Sequence, residues 1–330
     1  MAGRGARQRV TAADIAREVG VSRATVGFVL NDTPGQTISA GTRDRVLAAA
    51  RRMGYRPHRA AQALASGHSR IILFVTPDWP VDYSMRRYLE EASLLLDEAG
   101  YSMVTYTPHP SGRSRPLWES LHPDVVVGFT SFSPEDLDSL HASGVTRIIP
   151  SAEEPGSGFQ NAPALTSGPA LQVRHLHEQG HRRMLFAASG DPRLTPLVHQ
   201  RADAAHGACA ELGLEWRGLH VIDGENAGAL VPGWHAEGIT GVLAYNDDTA
   251  ATVVGAALRS GIRVPKELAV IGHDDSPLAS VFLPSLTSVR VDTGALGRAL
   301  AQRALDEALG RPYTQGHIPV DVALIRREST

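Results

Sequence analysis

Apolar residues recur at helical spacing near the start of the chain and in short unbroken runs after position 70. Ile15, Ala16 and Val19 fall on one face of a first helix. Thr11 precedes it as a cap, and Asp14 stands where a capping box places its acid. Gly20 stops that helix and supplies a turn. Ser22 can cap a second helix that buries Val26, Val29 and Leu30. Thr42 to Met53 forms a third, with Val46, Ala50 and Met53 on one face and Gly54 as its stop. Tyr55-Arg56-Pro57 then runs extended, because Pro57 cannot continue a helix. Caps, turn and spacing together predict a helix-turn-helix, whose second helix would enter a DNA major groove by its N-terminal residues. The candidate groove contacts are Thr11, Ser22, Arg23, Ala24, Thr25, Phe28 and Asn31.

From Arg70 onward short apolar runs alternate with longer amphipathic ones. Strands are expected at Ile71–Val75, Ser102–Tyr106, Val125–Phe129, Arg147–Pro150, Met184–Ala187, Val242–Tyr245 and Leu268–Ile271. Helices are expected at Ser84–Ala99, Pro134–Ala142, Leu171–Gln179, Gln200–Leu212 and Asp248–Arg259. Ile318 to Ile325 alternates and reads as an edge strand. The order implies parallel sheets covered by helices, with strands enough for two. The fold class is therefore an all-α head followed by an α/β core of two doubly wound parallel-sheet lobes. Such sheets take ligands beyond the carboxyl ends of their strands.

Charge sharpens the division. Through residue 70 twelve arginines face four acids, a net of +8, whereas the whole chain is −3, so residues 71–330 carry −11. The phosphate-seeking surface is thus concentrated in the head. The single cysteine, Cys209, excludes a disulfide framework and cysteine-rich metal sites, and fits a reduced setting. No apolar run suggests a secretory leader or a membrane span. A cytoplasmic location is expected, with no cofactor, no bound metal and no membrane partner. No glycine-rich phosphate loop follows a strand, and no nucleophile elbow is present, so an enzyme is not expected.

His58 to Gly67 is short, Ala-rich and closed by glycine, a helix that is marginal alone in water. With it, residues 9–67 resemble the head and hinge of the lactose-repressor (LacI/GalR) family. The matching phrases are Thr11-Ala-Ala-Asp-Ile-Ala16, Gly20-Val-Ser22, Gly54-Tyr-Arg-Pro57 and Arg59-Ala-Ala-Gln-Ala-Leu64. In the core they are Gly180-His-Arg-Arg-Met-Leu-Phe186, Tyr245-Asn-Asp-Asp-Thr-Ala250 and Val270-Ile-Gly-His-Asp-Asp275. The resemblance implies three parts: a DNA-binding domain at 1–57, a hinge at 58–68 and an effector-binding core at 69–330. It divides the core into a lobe of about 69–165 plus 290–317 and a second of about 166–289 plus 318–330, similar to periplasmic sugar-binding proteins.

The same resemblance implies a homodimer on palindromic double-stranded operator DNA. Leu64 matches a hinge leucine that wedges into the minor groove, with Arg59, Ala61 and Gln62 beside it; such a wedge kinks a base step at a cost of a few kcal/mol. A small-molecule effector, a sugar or a nucleoside, would lie between the lobes on Arg201, Asn246, Asp274, Asp247, Ser151 and Trp79. Phe129, Trp234 and Phe282 are further candidate flat walls. Three positions depart from the pattern. Gly27-Phe28 stands where the family has Ser-Arg, and Phe28 can either touch a thymine methyl or pack inward. Ser151 stands where an acid is usual, which puts a typical hexose in question. The expected function is a sequence-specific transcriptional repressor under effector control. The alternative is a ligand-binding protein whose head is weakened or does not repress.

Overall fold

The computed structural model describes residues 10–31, 35–55, 68–109, 112–151, 164–312 and 320–330, with side chains of 164–166 excepted. The hinge candidates Arg59, Ala61, Gln62 and Leu64 lie outside the described residues. The chain divides into two units, 1–70 and 71–330.

In the first unit, α1 (Ala12–Val19), α2 (Arg23–Leu30) and α3 (Ala40–Arg52) pack on one another. Their shared core is Ile15, Ala16, Val26, Val29, Val46, Ala49 and Ala50. Each helix starts on a hydroxyl cap: Thr11, Ser22 and Ser39 accept from the backbone N–H of Asp14, Thr25 and Thr42. Asp14 answers Thr11 with the second half of a capping box. Gly20 takes φ 73° at the turn, a conformation that favours glycine. The third helix begins two residues before Thr42, because Ser39 is the better-placed cap.

The second unit carries two sheets. The first has the order β2-β1-β3-β4, all parallel, from β1 (Ile71–Val75), β2 (Ser102–Tyr106), β3 (Val125–Gly128) and β4 (Ile148–Ile149). Between these strands run α4 (Tyr83–Glu98), α5 (Leu117–Leu121) and α6 (Pro134–Ala142). Next come α7 (Ala164–Glu178), β5 (Arg183–Ser189), α8 (Thr195–Glu211) and β6 (Glu215–Ile222). They are followed by α9 (Ala227–Ala236), β7 (Gly241–Ala244), α10 (Asp247–Arg259) and β8 (Ala269–His273). The chain closes with α11 (Pro277–Val281), β9 (Ser288–Val291), α12 (Thr293–Ala308) and β10 (Val322–Ile325). The second sheet has the order β10-β9-β8-β7-β5-β6, parallel except that β10 runs antiparallel to β9 at the edge.

Strands β3, β7 and β8 are buried at every residue, which is why they read as unbroken apolar runs. Helix α12 follows the second sheet in sequence but packs on the first lobe. Its Leu296, Ala301, Ala304, Leu305 and Ala308 join Phe74, Tyr88, Phe129 and Leu96 in one core. Gly297 makes this possible, since a Cβ there would collide with the backbone carbonyl of Tyr88 on α4. The chain then returns to the second lobe as β10.

Candidate DNA-reading face and effector cleft

In the head, α2 exposes Ser22, Arg23 and Ala24, while Thr25, Gly27 and Phe28 are half-buried. The Ser22 and Thr25 hydroxyls lie 2.8 Å apart and bond each other. The Thr11 hydroxyl donates to Asp14 Oδ2 at 2.7 Å while accepting from the Asp14 N–H, so capping already occupies it. Asn31 caps the C-terminal end of α2. The helix runs unbroken through Gly27.

In the core, a cleft opens between the lobes at the carboxyl ends of the strands. Trp79, Pro80, Asp82, Ser84 and Met85 line it after β1, facing Leu194, Leu197, Gln200 and Arg201 around α8. Tyr245 after β7, Asp274 after β8, and Val291 and Thr293 at the β9–α12 junction complete it. Trp79 packs against the apolar cores of both lobes. The free space at its centre is about 40 Å³, well below the roughly 300–1,000 Å³ of a pocket that holds a small organic ligand.

The polar centre is Arg201, held in the second turn of α8. The sequence placed Arg201 at a helix start; the helix begins instead at Thr195, with Pro196 in its first turn. Its Nη1 donates to the Tyr245 carbonyl at 2.6 Å and its Nη2 to Asp274 Oδ1 at 3.2 Å. Its guanidinium carbon lies 4.6 Å from the centre of the Tyr245 ring, a cation–π contact. Asp274 Oδ1 also meets His273 Nδ1 at 2.7 Å. Both bonds fall on Oδ1.

Burial works to raise the Asp274 pKa, but the Arg201 charge and the hydrogen bonds from His273 and Arg201 hold it below the usual carboxylate range. Burial and the Arg201 charge push His273 down, so its ring is neutral and donates through Nδ1. Its Nε2 then needs no proton, and none of the described residues bonds it. Burial, and next the Asp274 charge, raise Asp82, whose carboxylate caps α4 through the Met85 N–H at 2.8 Å.

A second layer holds this centre in place. Gln172 Nε2, from α7, donates to the carbonyls of Ala244 (3.0 Å), Ile271 (3.3 Å) and Gly272 (2.8 Å). One buried amide thus ties together the ends of β7 and β8, which carry Tyr245 and Asp274. Asp274 (φ 90°) and Asp275 (φ 46°) both sit in left-handed backbone. Asp275 is pinned by Arg327 at 2.7 Å and by the Ser288 hydroxyl on its N–H. Such backbone persists where its surroundings over-determine it, and it concentrates at functional sites.

Three expected contacts are placed elsewhere. The Asn246 side chain accepts from the Thr249 N–H (2.9 Å) and hydroxyl (2.8 Å) as the cap of α10. Asp247 is buried under β8 and β9: its carboxylate takes the Ser288 hydroxyl and the Ser276 N–H, each at 2.6 Å. A Cβ at Gly272 would collide with that carboxylate. Ser151 is half-buried after β4 and does not line the cleft. Phe129 and Trp234 are core residues, and Phe282 packs on the core. The sequence reading missed Asp82, Gln200, Tyr245 and Gln172. Asp82 carried a signal, an acid three residues before Met85 at the start of a helix, but it reads equally as a simple cap.

Residues 11–58 match the family model "Bacterial regulatory proteins, lacI family", and residues 173–330 match a "Periplasmic binding protein-like domain". The chain is 30% identical over 347 residues to the HTH-type transcriptional regulator MalR of Streptomyces coelicolor, covering 96% of each. It is 26% identical to the lactose operon repressor of Escherichia coli, over 97% of this chain and 91% of that one. The fold matches a lac repressor dimer bound to operator and the anti-inducer ONPF with a TM-score of 0.78, at 23% identity over 98% and 99% of the two chains. A LacI family transcriptional regulator from Arthrobacter sp. FB24 in complex with lactose matches at TM-score 0.61 and 25% identity, over 79% of this chain and 99% of that one.

Proposed function

The chain belongs to the lacI family of bacterial regulatory proteins and is a DNA-binding transcriptional regulator; from that premise we propose that it is a dimeric repressor whose operator affinity is set by a neutral polyhydroxyl effector, a sugar, held in the cleft. The observation that carries this reading is the Arg201–Asp274 pair at the floor of a cleft with Trp79 on its wall. An arginine fork, two carboxylates and a flat indole suit a ring bearing hydroxyls. The Arg201 charge is already countered by Asp274, and Asp82 adds a second acid. An anionic ligand would therefore meet net repulsion.

The small free volume supports the coupling. A sugar needs more room than the cleft offers, so its binding favours a different separation of the lobes. An effector shifts an equilibrium only through such a difference in affinity between two states. Transmission to the head runs in this proposal through the hinge, as two hinge segments of a dimer draw together or apart. The reading as a ligand binder with a disabled head rests on Gly27-Phe28; α2 continues through both, which favours a working head. We assign the protein to the cytoplasm, the compartment of its DNA.

The test is selection of randomised duplexes by the purified full-length protein, followed by titration of mono- and disaccharides against the selected duplex. Enrichment of a palindrome that one of the sugars releases is the expected result. A palindrome whose binding no neutral sugar alters would overturn the effector assignment.

A further inference from the structure

The core of the head identifies one face of α2 as Val26 and Val29, with Leu30 packed against them. At 3.6 residues per turn, Phe28 lies roughly 150° around the helix from the centre of that face. Accordingly Phe28 is not among the residues that pack on the head's core, although Val10, Ala12, Val19, Val21, Ile38, Leu47, Met53 and Tyr55 all do. Ala24, one turn earlier, shares the Phe28 face and is exposed. Gly27 beside them leaves open space where a Cβ would stand. Phe28 is half-buried, and the face of the second helix turned away from the head's core is apolar at its middle, on a unit whose sequence carries +8.

We propose that Phe28, with Ala24, is a specificity-determining residue that reads the 5-methyl group of a thymine in each operator half-site. The inference rests on the reading of the chain as a major-groove regulator. The chemistry of the groove makes the choice. Every base edge there offers hydrogen-bond donors or acceptors, and thymine adds one apolar feature, its methyl group. A phenyl ring has no hydrogen bond to give. Set against the O6 and N7 of guanine or the N4 of cytosine, it would strip water from polar atoms and leave them unpaired. Set against a thymine methyl, it buries apolar surface on both sides. Gly27 removes the side chain that would otherwise hold the helix off the groove wall beside the ring.

The experiment begins with selection of randomised duplexes by the full-length protein and continues on the selected duplex. Each thymine is replaced in turn by uracil, which lacks only the methyl group. Binding of wild type and of Phe28→Ala is then measured by fluorescence anisotropy at fixed salt. Loss of one buried methyl corresponds to roughly 3- to 10-fold in affinity. The expected result is one symmetry-related thymine pair at which uracil weakens wild type by that factor and leaves Phe28→Ala unaffected. Because Phe28 is half-buried but not among the residues of the head's core, Phe28→Ala should keep the wild-type circular dichroism with at most a small drop in melting temperature; Phe28→Leu, which retains an apolar tip, should keep part of the discrimination. A selected palindrome at which uracil and thymine bind equally everywhere overturns the Phe28 assignment and leaves the regulator reading intact. No enriched sequence at low salt overturns the regulator reading, and this assignment with it.

Discussion

The imidazole of His273 stands against Gly168 of α7 so closely that a Cβ on the glycine would collide with Nε2. The other nitrogen of the same ring meets Asp274 at 2.7 Å. The absent side chain on α7 therefore leaves room for the ring that bonds a cleft carboxylate. Gly168→Ala should cost about 1–3 kcal/mol by overpacking, read as a lower urea midpoint. In a His273→Ala background the same change should cost close to nothing, since the clash is gone and alanine is the better helix former. Equal costs in both backgrounds would show that the ring is not what Gly168 accommodates.

Asp247 titrates in the opposite sense to Asp274. Burial pushes its pKa up to about 7, against the hydrogen bonds from Ser288 and Ser276. The folded state therefore holds a proton that the unfolded chain releases near pH 4, and stability falls as pH rises from about 4 to 7. Asp247→Asn keeps an acceptor for the Ser276 N–H without the charge. It should match wild type near pH 4 and gain on it, by roughly 1–4 kcal/mol, toward pH 8. Urea denaturation at a series of pH values measures this, and parallel curves for the two proteins would rule it out.

For Asp274 the depressed pKa gives the reverse sign: its contribution is present above the unfolded carboxylate range and is lost as pH falls below it. Removing its partner should be costly. Arg201→Met leaves a buried carboxylate without its cation, worth about 3–5 kcal/mol. Adding Asp274→Asn should recover most of that loss, because the lone charge disappears and asparagine tolerates the φ of 90° at this position. The double variant should nevertheless bind no effector. Thermal unfolding and a sugar titration separate the two effects.

Two contacts cross between the lobes at the rim of the cleft, and they should differ in weight. Arg193 reaches Asp78 at 3.6 Å, but both side chains are about half exposed, 44% and 55%. Arg193→Ala should change stability by less than about 1 kcal/mol. Trp79 packs on both apolar cores, and Trp79→Ala should cost about 2–4 kcal/mol. The reverse order in chemical denaturation would make the ion pair, and not the indole, the clasp.

The head was readable because its signals are local. Thr11, Asp14, Gly20 and Ser22 each act on a partner within four residues, and a capping box forms from sequence neighbours alone. The buried strands were readable for a similar reason: a strand covered on both faces is apolar at every position. Strand β6 escaped notice because it is an edge, with a charged and glycine-containing start that a partner on one side suffices to hold. Helices α7 and α9 carry Pro169 and Pro232 in their interiors, which argue against a helix until neighbours fix the backbone.

By itself, then, the sequence determined the three capped helices of the head, the two-sheet α/β core and the kind of chemistry available at Arg201 and Asp274. Only the tertiary structure decided which polar groups face the cleft. Asn246 and Asp247 sit at the same kind of strand end as Asp274, yet one caps its own helix and the other is buried under neighbouring strands. Gln172 lies 72 residues from the first carbonyl it holds, and α12 crosses to a lobe whose strands ended long before it. Periodicity and caps are set by residues a few positions apart. Whether a polar side chain meets a ligand or another part of the protein depends on groups that only folding brings beside it.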